Sequence, residues 1–82
     1  MNVDDDRYLD VLAEIYKKNP EKPVLPDPIK SRLGISSKLE FWDRLDVLIE
    51  DRYVELVQDG KNPPMVMLTP RGRELLRINK KI

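Results

Sequence analysis

The sequence contains no cysteine and no histidine, and these two absences remove most of the chemistry by which small proteins catalyse reactions or hold metals. Without cysteine there are no disulfides and no thiolate nucleophiles, and without histidine there is no imidazole to act as a general base. Most zinc and iron sites, which draw on the same two residue types, are excluded with them. The remaining carboxylates do not cluster on one face in the sequence pattern, so we expect no enzymatic activity, no metal and no cofactor.

Long apolar runs are absent as well. No stretch approaches the roughly 20 apolar residues that a membrane-spanning helix needs, and the acidic start MNVDDDR differs from the basic start of a signal peptide. We therefore expect a cytoplasmic protein with no membrane partner. A chain of 82 residues is enough for one domain, residues 1–82, and too short for two independent cores. Because so small a core stabilises a chain only marginally, a homodimer is expected.

Charge, in contrast, is plentiful: 37% of the residues are charged, yet the formal net charge is zero. Residues 17–35 and 60–82 carry net charges of +3 and +5, whereas residues 1–16 and 36–59 each carry −4. Nucleic-acid binding follows the local basic surface, so a neutral total does not exclude it. The neutral total does argue against tight, non-specific coating of DNA.

The first third of the chain predicts a helix followed by an extended, proline-rich segment. Apolar residues at helical spacing predict the helix over residues 4–18, with aspartates at its start, where they suit the helix dipole. Asn19-Pro20 ends it, because proline disfavours helical geometry in the residue before it. Val24 and Leu25 are expected to form a small strand or to fill the core.

A second and a third helix are predicted to follow in close succession. Asp27 is expected to cap the second, with Pro28 at its first position and Gly34 in the left-handed conformation at its end. Ser37 and Glu40 form the capping-box pattern Ser-x-x-Glu at the head of the third. Its buried stripe is predicted to contain Phe41 or Trp42, Leu45, Leu48 and Ile49, and its opposite face Glu40, Asp43, Arg44 and Val47. Arg52 stands where glycine would more easily take a positive φ, so we expect a differently shaped helix end there.

The rest of the chain predicts a β-hairpin and a final helix. Residues 53–58 and 65–69 are rich in residues that favour strands. Between them, Asn62-Pro63-Pro64 prevents the tip from extending the ladder. Thr69-Pro70 is a cap and first-turn pair for the last helix, whose apolar face is predicted to contain Leu75, Leu76 and Ile78.

This order of elements resembles the winged helix-turn-helix regulators of bacteria and archaea, above all the MarR and PadR groups and small archaeal winged-helix proteins. Residues 29–36 (IKSRLGIS) are similar to the second helix and turn, and residues 45–55 (LDVLIEDRYVE) to a recognition helix that runs into the wing. Residues 68–72 (LTPRG) are similar to the family's frequent Leu-Thr-x-x-Gly after the wing. The resemblance spans about residues 8–78. It implies an α+β fold with a three-helix core, a two-stranded β-wing and a C-terminal helix.

The resemblance also implies a function, that of a DNA-binding transcriptional regulator acting on double-stranded DNA. In such families the third helix enters the major groove and the wing lies on the phosphate backbone. By position, Ser37, Lys38, Glu40, Asp43 and Arg44 would face the groove. Backbone contacts would come from Lys30, Arg32, Lys61 and Asn62, with Arg71 and Arg73 adding phosphate contacts near the base of the wing. Dimer contacts are expected from the first and last helices.

Each of these interpretations has an alternative. Glu40 and Arg44, four residues apart, would form an ordinary helical ion pair worth about 0.3–0.5 kcal/mol. Trp42 either packs in the core or marks a contact with a protein partner. The seven acids and three bases of residues 36–59 favour a winged-helix protein-interaction module without strong DNA affinity. Single-stranded nucleic acid is less favoured, because the five aromatic residues do not cluster as a stacking platform.

Overall fold

The computed structural model of this chain describes residues 5–82. Within them lie four helices and a two-stranded antiparallel sheet, which confirms the α+β class. In chain order these elements are α1 (Asp6–Lys18), α2 (Pro26–Arg32), α3 (Lys38–Glu50), β1 (Val54–Val57), β2 (Met65–Leu68) and α4 (Pro70–Ile78). No helix of the described residues is long and apolar enough to span a bilayer.

Helix α1 forms the centre of the core. Asp5 is its N-cap, and the Asp5 carboxylate accepts a hydrogen bond from the backbone N–H of Arg7. The predicted start at residue 4 lies outside the described residues. One face of α1 is buried, with Leu12 and Ile15 fully enclosed. Helices α2, α3 and α4 and strand β2 all pack against α1, so a single core joins every part of the fold.

Helix α2 begins earlier than predicted. Its first residue is Pro26 and its N-cap is Leu25, so the prediction that Asp27 caps it with Pro28 at the first position was wrong. Leu25 takes the extended conformation that a residue before proline prefers, and the helix that starts at Pro26 buries that ring in the core. The predicted end is confirmed: Gly34 has φ +71°.

Helix α3 begins at the predicted cap, but the capping box is incomplete and the helix ends differently. Within residues 5–82 the Ser37 hydroxyl oxygen accepts from the Glu40 N–H, whereas the Glu40 carboxylate pairs with Arg44 and not with the Ser37 N–H. Ser37 caps it, and Phe41 is buried in the core while Trp42 is half-buried at its edge. Arg52 takes a left-handed φ of 65°, and the N–H of Tyr53 donates to the carbonyl of Leu48 at 2.9 Å. This is the ordinary glycine-type helix end built with arginine, so the expectation of another shape there was wrong. Val47, predicted on the solvent face, packs partly buried against the core.

The sheet is completed by a short bridge from the proline-rich segment. β1 and β2 are antiparallel, with Val54 opposite Leu68 and Val57 opposite Met65. Val24 pairs with Val66 on the other side of β2 through N–H···O bonds of 2.8 and 2.9 Å. Of the two roles expected for Val24 and Leu25, a small strand or filling of the core, Val24 is buried in the core and makes a single β-bridge, whereas Leu25 is 45% exposed.

Helix α4 starts at the base of the hairpin. The Thr69 hydroxyl oxygen accepts a hydrogen bond from the N–H of Gly72 at 3.0 Å, as the predicted cap requires. Leu76 is fully buried and Leu75 partly so. Ile78, predicted on the apolar face, is 62% exposed because the last turn extends past the core.

Candidate nucleic-acid interface

One face of the molecule brings α2, the start of α3 and the hairpin tip together. A cleft between the two helices is lined by Asp27, Lys30, Ser31 and Lys38. A second cleft, more apolar, is lined by Leu25, Pro26, Asp27, Lys38, Trp42, Pro63 and Pro64. Since Asp27 and Lys38 line both clefts, the two clefts adjoin, and their linings together extend from α2 to Pro63 and Pro64 of the hairpin. Lys61 and Asn62 lie exposed at the tip, next to Pro63.

Three lysines belong to these elements: Lys30 to α2, Lys38 to the start of α3 and Lys61 to the hairpin tip. Within residues 5–82, none of Lys30, Lys38 and Lys61 makes an ion pair or a side-chain hydrogen bond. Lys38 and Lys61 are exposed and Lys30 is half-buried beside Ser31. We call these three residues the lysine face. Their positive charges are available to an external anion, with Asp27 the one acid that lines the adjoining clefts.

Two predicted phosphate ligands, Arg71 and Arg73, also make contacts within the fold, and Arg71 remains exposed. The Nε of Arg71 donates to the carbonyl of Asp51 at 3.0 Å, and its guanidinium lies 4.5 Å from the centre of the Tyr53 ring. The Nη1 of Arg73 donates to the carbonyl of Pro20 at 3.0 Å. These contacts tie α4 to the end of α3 and to the segment after α1. Their first role is therefore structural.

The ion pair expected of Glu40 and Arg44 is present. Arg44 Nη2 lies 2.8 Å from Glu40 Oε1, and the Arg44 side chain is only 21% exposed. The pair lies towards the start of α1. The pKa of the Asp5 carboxyl is lowered mainly by the backbone N–H of Arg7, then by the Arg7 side chain, and slightly by the charge of Arg44. Glu40 and Arg44 thus take part in a charge cluster between α1 and α3.

The other predicted contact residues are placed in different ways. Arg32 is exposed on α2, with its Nε 3.8 Å from Glu14 Oε2 on α1. The hydroxyl oxygen of Ser37 accepts the capping hydrogen bond from the N–H of Glu40 at 3.1 Å. Asp43 is exposed on α3.

The outermost side of α3 carries acidic side chains, whereas a DNA-recognition helix is expected to carry basic ones. Four of the exposed residues of α3 recur four, three and four positions apart, the spacing of one helical stripe. We call them the acidic stripe: Leu39, Asp43, Asp46 and Glu50. Leu39 is 74% exposed. Of these four residues only Asp43 was predicted as a contact residue, although the spacing of the three acids is visible in the sequence.

In the described part of the chain, no group of three or more acidic side chains is arranged to hold a metal ion. The sequence allowed two roles for Trp42, packing in the core or contact with a protein partner. It packs against the core and at the same time lines the apolar cleft beside Pro63 and Pro64. The sequence signal for that second role is weak, since it depends on the hairpin folding over α3.

The arrangement can attract an anion at the lysine face and offers an apolar surface beside it. The same helix repels an anion along its acidic stripe, so an extended polyanion would contact only the first turn of α3. Comparison with protein-family models, curated proteins and solved structures found no match to this chain.

Proposed function

We propose that this chain is a winged helix-turn-helix protein of the cytoplasm that binds double-stranded DNA as a transcriptional regulator. The hairpin is the wing, and α3 is the helix closest to the major groove. The observation that carries the proposal is the lysine face: Lys30, Lys38 and Lys61 lie on α2, the start of α3 and the hairpin tip, and none of them forms an ion pair within residues 5–82. A DNA-binding winged helix places its phosphate contacts on these same elements.

On this proposal, most of the contacts are made with phosphates and few with base edges. The lysine face supplies phosphate contacts, each of which releases counterions from the DNA. Only the first turn of α3, with Lys38 and Leu39, approaches the base edges. From Asp43 onward the acidic stripe faces the negative groove, where a carboxylate is costly unless it accepts a hydrogen bond from a cytosine amino group. The expected binding is therefore modest in affinity and steeply dependent on salt.

The test is a fluorescence-anisotropy titration of a mixed-sequence duplex at low salt. The triple variant K30A/K38A/K61A is expected to bind at least about tenfold more weakly than the wild type, because three phosphate contacts are lost. The matched control is K18A/K22A/K80A, which removes the same charge from lysines that also lack a partner within residues 5–82. Equal loss in both variants, or no binding by the wild type, would contradict the proposal.

A second candidate function, a protein-interaction module, is favoured by the acidic stripe. Three carboxylates and an exposed leucine on one helix side fit a basic partner protein better than they fit DNA. The variant D43N/D46N/E50Q separates the two functions. If α3 lies in the groove, neutralising the stripe removes repulsion and raises DNA affinity; if the stripe faces a protein partner away from DNA, the affinity stays the same.

A further inference from the structure

The sheet has one open edge, the outer side of β1. β2 is bonded on both sides, to β1 and to Val24. The N–H of Thr69 donates to the carbonyl of Tyr53 at 3.2 Å, which makes Tyr53 and Thr69 a hydrogen-bonded pair. Antiparallel pairing alternates along a strand, so Val54 and Leu56 direct their N–H and C=O groups away from β2. In residues 5–82 no other backbone group bonds to them.

The two edges of the sheet are protected to different degrees. On the Val24 side, Pro23 and Pro26 flank the single bridging residue and prevent a further strand from pairing there. On the β1 side the sequence is Val-Glu-Leu-Val, with no proline and one charge. An unprotected edge of this kind pairs readily with another strand.

An apolar groove runs beside the open edge. Its lining residues are Ile49, Arg52, Val54, Glu55, Leu56 and Thr69. Leu56 is 39% exposed, a large apolar side chain at the middle of the strand. Exposed charges of both signs stand at each end of the strand, with Asp51 and Arg52 before β1 and Asp59 and Lys61 after it.

We propose that β1 pairs antiparallel with β1 of a second copy of this chain across a two-fold axis. In the pair centred on Leu56, Asp51 of each strand is set opposite Lys61 of the other, and Arg52 lies next to Asp59, so opposite charges meet at both ends. A partner strand from another protein would have to reproduce this charge order, whereas a second copy supplies it automatically. Charge complementarity therefore identifies the occupant of the edge.

The outward backbone groups also limit the register. Because outward groups pair with outward groups, the axis passes between two Val54, two Glu55 or two Leu56 residues. The Val54 register would set Arg52 opposite Leu56, and the left-handed φ of Arg52 does not continue a strand. The Glu55 register sets like charges directly opposite each other, which is destabilising. The Leu56 register sets Leu56 against Leu56 and Glu55 against Val57. The dimer is centred on Leu56.

This interface differs from the one expected from the first and last helices. The exposed surface of those helices is largely charged, including Arg7 and Asp10 on α1 and Glu74 and Arg77 on α4. Ile78 is the exposed large apolar residue that α4 offers. Ile78 therefore serves as the control position for a helical dimer.

Cross-linking tests the register, because the chain has no cysteine of its own. In the Leu56-centred dimer the two Leu56 Cα atoms are about 5.5 Å apart, within the range that a disulfide bridges. Under mild oxidation the L56C protein is expected to form a covalent dimer faster than the E55C and I78C proteins. A faster reaction of E55C would overturn the Leu56-centred register, and a faster reaction of I78C would overturn the edge itself.

Association is measured separately by sedimentation of the full chain without DNA, so its outcome is independent of the proposed DNA binding. L56K places two lysines at the axis, and L56P removes an outward N–H that β2 does not use. Each is expected to raise the dimer dissociation constant by roughly tenfold or more, while I78K leaves it unchanged. Circular dichroism checks that each variant is folded. A wild type that stays monomeric at millimolar concentration, or a dimer that I78K weakens and both Leu56 variants leave intact, would overturn the proposal.

Discussion

At the scale of single residues, Arg52, Thr69 and Gly72 meet at the base of the hairpin, where the segment LTPRG ends β2 and begins α4. The hydroxyl of Thr69 donates to the carbonyl of Arg52 at 2.6 Å and accepts from the N–H of Gly72. The left-handed Arg52 turns the chain from α3 into β1. Gly72 lets α4 approach the backbone of Tyr53 closely. These three residues together therefore set the geometry of the junction between α3, the hairpin and α4.

Gly72 is expected to be the least replaceable glycine. A Cβ at this position would lie 2.2 Å from the carbonyl oxygen of Tyr53, and a backbone atom cannot move aside as a side chain can. We expect Gly72→Ala to lower the free energy of unfolding by about 2 kcal/mol despite the better helix propensity of alanine. Gly34→Ala is the control, with open space but φ +71°, and is expected to cost about 1 kcal/mol. Urea denaturation measures both, and a smaller loss at Gly72 than at Gly34 would refute the close-approach argument.

Arg52 offers a stabilising substitution. A non-glycine residue in the left-handed region costs about 1–2 kcal/mol, and glycine does not incur that cost. Arg52→Gly is therefore expected to raise the free energy of unfolding by about 1 kcal/mol, while Arg52→Ala, which keeps a Cβ, leaves it nearly unchanged. Thermal and urea denaturation of the two variants would decide. An equal effect of both substitutions would show that the arginine side chain, and not its φ, sets the stability.

At the scale of elements, the hairpin and α4 are joined by the two hydrogen bonds of Thr69. Thr69→Val keeps the shape of the side chain but loses the helix cap and the bond to Arg52, so we expect a loss of about 1–2 kcal/mol. Thr69→Ser retains the hydroxyl and should lose less than half as much. Hydrogen exchange of the Gly72 amide provides a local measurement. Protection that is unchanged in Thr69→Val would contradict the role of the cap.

The elements were predictable where local chemistry determines them, and less so where packing does. The Ser37 and Thr69 caps, the hairpin strands and Gly34 all follow from short-range preferences and agree with the structure. The start of α2 does not, because burial of Pro26 decided between competing prolines. The direction in which Glu40 and Arg44 face depends on where α1 packs against α3, and a single helix sequence does not contain that information.

At the scale of the whole molecule, the charge blocks of the sequence are redistributed in space. In the basic C-terminal block, Arg71 and Arg73 donate to backbone carbonyls and Arg77 pairs with Glu74. The anion-attracting charge lies instead on lysines from three separate segments, namely Lys30, Lys38 and Lys61. The three lysines were among the contact residues predicted from the sequence. The sequence could not show that Arg71, Arg73 and Arg77 make hydrogen bonds within the fold.

The measurement that tests this account most directly is the salt dependence of duplex binding. Three phosphate contacts predict a slope of about −2.7 in a plot of log affinity against log salt concentration, about −0.9 for each contact. Lys38→Ala should reduce the magnitude of that slope by about 1, while Arg73→Lys, at a structurally bound arginine, should leave it unchanged in the folded protein. A wild-type slope near zero, or a Lys38→Ala slope equal to that of the wild type, would contradict the central claim that the lysine face binds DNA.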